Sequence, residues 1–181
     1  MEDGLAEFAD ELLSKRLGMS ATIAMQVNEY EGLVRRDATV DPTNVEALLR
    51  LVGRRPDADL VFADAGRRAA RRAAARTAGA ARWIAHAGPR GLGYAVARRA
   101  ARVVLSGDLH RDHELPVARM TEPLAIRATP DCAACGLYGA AFTELLRLFA
   151  NFEGSMVHVS CRGAGGAACE WRAAAPDPRH H

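Results

Sequence analysis

Five side chains near the C-terminal end carry the chemistry most legible in this sequence: Cys132, Cys135, His158, Cys161 and Cys169. The four cysteines lie within the last fifty residues and none stands before Cys132. Thiolate and imidazole are the chief ligands of zinc, which takes four of them tetrahedrally and in a structural site leaves no position open. Cys132 and Cys135 form a C-x-x-C, His158 and Cys161 stand three apart, and a Gly/Ala-rich stretch separates Cys161 from Cys169 and can fold the two sulfurs together. Spacing alone leaves the ligand set open: an all-cysteine site and a site of three cysteines and one histidine both fit. Separate buried thiols acting as small hydrophobes are the plain alternative. A redox C-x-x-C is another, but it calls for a thioredoxin-like βαβ pattern that the chain lacks. Disulfide frameworks belong to small secreted domains, and the acidic start MEDGLAEFADELLSKR has no signal-peptide character, so the expectation is a cytoplasmic protein.

Asp108, His110, Asp112, His113 and Glu114 form a second cluster of ligand-type side chains in GDLHRDHELP. With no periodic scaffold to fix them, they read as a polar surface loop. Arg67, Arg68, Arg71, Arg72 and Arg76 line one side of a helical stretch and read as a solvated face, with an anion- or partner-binding patch as the sharper alternative. No aromatics interleave with them, and 24 basic against 22 acidic residues leave a net charge of only +2, so nucleic-acid binding is not expected. Lys15 is the only lysine, which fits an arginine- and alanine-rich composition rather than a functional choice.

The elements that must position these groups follow from periodicity. Residues 4–17 have helical spacing, and 21–34 is ambiguous between helix and strand. Thr43 and Glu46 have capping-box spacing ahead of a helix ending at Gly53. The longest helical signal covers 58–87, with a stripe of Leu60, Val61, Ala65, Ala69, Ala73 and Ala80. Gly88-Pro89-Arg90-Gly91 breaks it, and a further helix spans 92–106. Residues 107–116 read as a loop, and Leu124, Ile126 and Ala128 alternate like a strand. A helix over 136–150 precedes strands at 155–161 and 168–174 joined by a hairpin loop, and 176–181 reads as a disordered tail. The expected fold class is α+β, an antiparallel sheet flanked by helices in a single domain over 1–175, with no apolar run long enough to span a membrane.

Residues 131–174, DCAACGLYGAAFTELLRLFANFEGSMVHVSCRGAGGAACEWRAA, resemble the C-terminal half of the 4-vinyl reductase domain. In that family a cysteine precedes an amphipathic helix, a Glu or His stands three residues before a second cysteine, and a third cysteine follows eight residues later. The resemblance therefore implies Cys135, His158, Cys161 and Cys169 as the zinc ligands and leaves Cys132 outside the set. His158 stands where the family often has Glu and is an equally good zinc ligand. Residues 59–109 are similar to the helical pair of stand-alone members tied to bacteriochlorophyll biosynthesis.

The implied fold is the one shared with nitric-oxide-signalling and Golgi-transport subunits, enclosing an apolar pocket, and the implied zinc is structural. On that footing the leading expectation is a zinc-stabilised binding domain for a hydrophobic or aromatic small molecule, a sensor or carrier. Candidate lining residues are Trp83, Tyr94, Tyr138, Phe142 and Phe149, each equally suited to plain core, and His86 is a candidate polar contact that reads as an ordinary surface histidine. A second expectation is an accessory or reductase protein of bacteriochlorophyll synthesis. Reduction needs a hydride donor, and no G-x-G-x-x-G follows a strand here, which favours the accessory role. A third is an interaction module that forms a homodimer through its alanine-rich helix.

Overall fold

The computed structural model describes residues 41–76, 90–129 and 131–174, together with Met25 and Gly32. The chain divides into two compact units, Met1–Pro42 and Thr43–His181. The expectations for 4–17, for 77–87 and for the tail at 176–181 lie outside the described residues. So does most of 21–34, of which Met25 and Gly32 are helical.

Five helices and four strands follow in order among the described residues: α1 (Pro42–Gly53), α2 (Ala58–Arg76), α3 (Arg90–Leu105), β1 (Asp108–Asp112), β2 (Leu115–Met120), α4 (Leu124–Ala128), α5 (Cys135–Ala150), β3 (Ser155–Ser160) and β4 (Cys169–Ala174). A 3-10 turn, Arg162–Ala164, lies between β3 and β4. The strands form one sheet in the order β1-β2-β4-β3, and every pair is antiparallel. The α+β class expected from the sequence is the one found.

The centre of the second unit is α5, buried on most of its circumference, as a helix with apolar residues on nearly every side must be. It packs on α2 and α3 on one side and on β3 on the other. Thr143 fixes the second contact: its hydroxyl donates to the Gly139 carbonyl at 2.8 Å and accepts the Met156 N–H of β3 at 2.9 Å. The helix stops at Asn151, whose left-handed conformation (φ 51°) lets its N–H reach the Leu146 carbonyl. Trp171 of β4 is fully buried and forms the hub of the core, with Phe142 at 5.5 Å and Tyr138 at 6.0 Å between ring centres.

Several local readings are corrected. The buried residues of α2 are Ala58, Phe62, Gly66, Ala70, Ala73 and Ala74; of the expected stripe Ala73 is among them, Leu60 is 74% exposed, and Ala80 lies outside the described residues. Gly66 sets that face. A Cβ there would overlap the Leu137 carbonyl oxygen and stand 3.1 Å from the Ala141 nitrogen, so only glycine lets the backbones of α2 and α5 meet. Residues 107–116 are not a loop but the β1–β2 hairpin. Its two-residue connection, His113-Glu114, has φ of 45° and 70°, the pattern of a type I′ turn without the usual Asn-Gly signal. Leu109 is the one fully buried residue of β1, too few for alternation to reveal a strand. The alternation of Leu124, Ile126 and Ala128 belongs to a helix: Ala125 and Ala128 are the buried pair, three apart, and Pro123 precedes the first turn. Finally, α1 begins at Pro42, which puts Thr43 inside the first turn, and the Glu46 carboxylate pairs with Arg127 of α4. No helix of the described residues is long and apolar enough to cross a membrane.

Candidate metal centre

Three short pieces of backbone bring the sulfurs and the imidazole together. The first is the turn before α5. Cys132 donates its N–H to the Thr129 carbonyl and accepts that of Cys135, each at 2.9 Å, and the Thr129 hydroxyl accepts the Ala134 N–H at 3.0 Å. Cys135 is thereby fixed as the first residue of α5, where the helix dipole favours negative charge. The second is the end of β3. His158 lies opposite Trp171 of β4, and the register then slips so that Ser160 faces Glu170, leaving Val159 as a bulge. The imidazole stacks on the Trp171 ring at 4.9 Å with 23° between planes. The third is the loop from Cys161 to Cys169. Ala164 and Gly166 both donate to the Cys161 carbonyl, at 3.2 and 2.9 Å, and Gly165 takes φ 91°. A side chain on Gly166 would strike Ser160 Oγ at 2.6 Å, so the tight return depends on glycine.

The result is a group of four, Cys135, His158, Cys161 and Cys169, whose ligand atoms all lie within 4.8 Å of one another. Cys135 Sγ is 4.0 Å from Cys169 Sγ, which is 3.8 Å from Cys161 Sγ. Zinc–sulfur bonds of about 2.3 Å arranged tetrahedrally give sulfur–sulfur edges of about 3.8 Å. The spacing fits a metal of that size. The backbone N–H of Arg162 points to Cys169 Sγ at 3.5 Å, the kind of contact that supports a sulfur carrying negative charge.

The electrostatics agree. Burial, and after it the neighbouring Cys169, pushes the Cys135 thiol up to about 12, so without a nearby cation the sulfur keeps its proton. Burial holds His158 below the ordinary imidazole value, against the opposing effect of a backbone hydrogen bond at Ser160. Burial thus favours the neutral ring, the form that binds a metal. Its Nε2 is buried with no hydrogen-bond partner in the protein, which suits a nitrogen aimed at a metal. These residues fit a zinc ion, and four filled protein positions would leave none for water.

Cys132, placed outside the ligand set by the family resemblance, is covalently joined to Cys161 in this structure. Cys135 and Cys169 are free thiols, both fully buried. Among the described residues no other such group of Cys, His, Asp or Glu occurs. The carboxylates of the β1–β2 hairpin face arginines instead: Asp108 accepts from Arg102 at 3.0 Å and Asp112 from Arg172 at 2.9 Å.

The candidate ligand-lining aromatics take different places. Tyr138, Phe142 and Phe149 are buried in the core, the first two against Trp171. Tyr94 of α3 is half-buried, with the Arg111 guanidinium 4.3 Å over its ring. Burial pushes its phenol up to about 12, and its oxygen has no hydrogen-bond partner. Trp83 and His86 lie outside the described residues. A cleft of about 360 Å³ does open beside the metal group, lined by Ala63 and Arg67 of α2, Gly139 and Thr143 of α5, His158 and Trp171. Trp171, which sequence reasoning passed over, links cleft and core, and its buried Nε1 has no partner. Its position two residues after Cys169, on the buried side of an alternating strand, was the available signal. Glu144 was also missed: buried on α5, it accepts at 2.7 Å from Arg71, which stays mostly solvent-exposed as expected of that row.

Comparison with protein-family models, with curated proteins and with solved structures finds no match to this chain.

Proposed function

We propose that this chain is a zinc-stabilised binding domain for a small hydrophobic or aromatic molecule. One observation carries the metal half: three sulfurs and an imidazole from three separate segments converge within 4.8 Å, at the spacing of a tetrahedral site. Zinc bound there acts as a staple between the start of α5 and the β3–β4 hairpin. The resemblance of residues 131–174 to the 4-vinyl reductase domain supports the same ligand set and a scaffolding role.

For the binding half, the cleft beside the site is lined by Trp171, Thr143 and His158, with Arg67, Glu144 and Arg147 also on its wall. A flat apolar ring bearing a polar substituent matches that mixed lining, since small-molecule sites combine apolar surface with a few polar groups that orient the ligand. Native mass spectrometry of the full chain, purified under reducing conditions, tests the proposal. One zinc per chain is expected, and it should be lost in C169S. A metal-free, fully folded protein would refute the staple. Titration with simple phenols, followed by tryptophan fluorescence and thermal shift, tests the cleft, and no response in either would remove the ligand reading.

A further inference from the structure

Cys161 occupies two sets of partners at once. Its sulfur belongs to the four-member metal group, 3.8 Å from Cys169 Sγ, and it is also bonded to Cys132. A metal ligand must be a thiolate, whereas a disulfide sulfur carries no charge to give. The two uses exclude each other, yet the backbone serves both, because the Cys132 and Cys161 Cα atoms are 6.8 Å apart, within disulfide reach. We propose that Cys132 is a resolving cysteine that makes the metal centre a redox switch. In the reduced state Cys161 completes the ligand set, and in the oxidised state it leaves that set to pair with Cys132. The inference rests on the zinc reading given above.

Two further observations support it. Cys132 is held in the left-handed region at φ 69°, a conformation unfavourable for a residue other than glycine. The hydrogen bonds of its turn, to Thr129 and from Cys135, keep it there without help from a metal. In addition, Cys132 and Cys161 are partly exposed, whereas Cys135 and Cys169 are fully buried. An oxidant therefore reaches the switching pair and not the other two thiols.

With hydrogen peroxide as oxidant the chemistry balances. The Cys161 thiolate attacks one peroxide oxygen, an S–O bond forms, the O–O bond breaks, and the departing hydroxide takes a proton from solvent to become water. The Cys132 sulfur then attacks the Cys161 sulfenic acid, the S–S bond forms, the S–O bond breaks, and a second water leaves with the Cys132 proton. Each sulfur gives up one electron and the peroxide gains two. Protein ligation falls from four groups to Cys135, His158 and Cys169. Because His158 also lines the cleft, the change reaches the proposed binding surface directly.

The test uses the full chain, reduced, loaded with zinc, freed of excess metal and exposed to hydrogen peroxide. A chromogenic chelator follows released zinc, and peptide mass spectrometry maps disulfides. Zinc should leave in step with formation of the Cys132–Cys161 link, and a thiol reductant with added zinc should reverse both. C132S should bind zinc normally and release it about tenfold more slowly, since the thiols that remain near the oxidised sulfur, Cys169 at 3.8 Å among them, are occupied as zinc ligands. Release at the wild-type rate in C132S, a first disulfide between Cys135 and Cys169, or full zinc retention after Cys132 and Cys161 have joined would each overturn the switch. If C132S does not fold, C132A and the wild-type disulfide map decide the matter in the same way. Absence of zinc from the reduced wild-type protein removes the metal reading and the switch together. Zinc present alongside any of the overturning results removes the switch alone.

Discussion

Gly66→Ala is a one-methyl perturbation that tests the packing on which the site depends. In an exposed helix interior the change would stabilise, because alanine exceeds glycine in helix propensity by about 1 kcal/mol. At residue 66 the added methyl would overlap the Leu137 carbonyl oxygen while standing 3.0 Å from the Leu137 carbon and 3.1 Å from the Ala141 nitrogen. All three atoms are backbone of α5 and cannot rotate away. The helices would have to part by on the order of 1 Å, loosening contacts of the close-packed interior at Phe62, Ala70, Ala73 and Ala74. Overpacking of this kind costs about 1–3 kcal/mol, enough to outweigh the propensity gain at most of that range. For a chain of this length 1 kcal/mol moves Tm by about 2–4 °C. The measurement is thermal unfolding by circular dichroism, with Gly91→Ala of α3 as the control, because a methyl at Gly91 meets nothing within 4 Å. G66A should melt below the wild type and G91A at or above it. A G66A protein as stable as G91A would mean that α2 does not approach α5 as described. Since Ala63 and Arg67 line the cleft, G66A should also weaken any phenol binding.

Other outcomes follow from single contacts. Thr143→Val keeps the shape of the side chain but leaves the buried Met156 N–H without its acceptor, so the urea midpoint should fall by the equivalent of about 1–3 kcal/mol; an unchanged midpoint would deny the α5–β3 tie. Arg71→Ala strands the buried Glu144 carboxylate and should lower Tm, whereas adding Glu144→Gln should restore part of the loss; equal melting of the single and double variants would show that the carboxylate is not left uncompensated. Chelating zinc from the reduced protein should lower Tm reversibly, since zinc held at about a thousand times its Kd stabilises the folded state by about 4 kcal/mol, and a chelator with no effect on Tm would contradict the staple.

What the sequence made legible tracks how local the determining physics is. Helix α5 and the β3–β4 hairpin were readable because their apolar periodicity and glycine-rich connection are written in consecutive residues. The candidate ligands could be assembled only as a pool of five from spacing, and the family resemblance narrowed them to the four that the fold brings together. The face of α2 was misread because hydropathy favoured Leu60, while the decisive residue was Gly66, whose role depends on a helix some seventy positions away. The β1–β2 hairpin was hidden because its turn uses His113 and Glu114 in left-handed conformations that neither residue type advertises. The link from Cys132 to Cys161 depends on how two turns meet in space, which spacing along the chain does not encode.

The strand order has a consequence for how the protein is made. Strand β4 lies between β2 and β3, which do not pair with each other, so its residues hold the sheet together. During synthesis the helices and three strands emerge before residues 169–174, and until then α5 presents its apolar surface without Trp171 to cover it. Cys169, the first residue of that strand, arrives at the same moment. Sheet closure and completion of the candidate ligand set therefore become one event, which waits on the last of the four strands. A chain that has not yet placed β4 leaves the apolar surface of α5 uncovered, the kind of surface through which partly folded chains aggregate or engage chaperones.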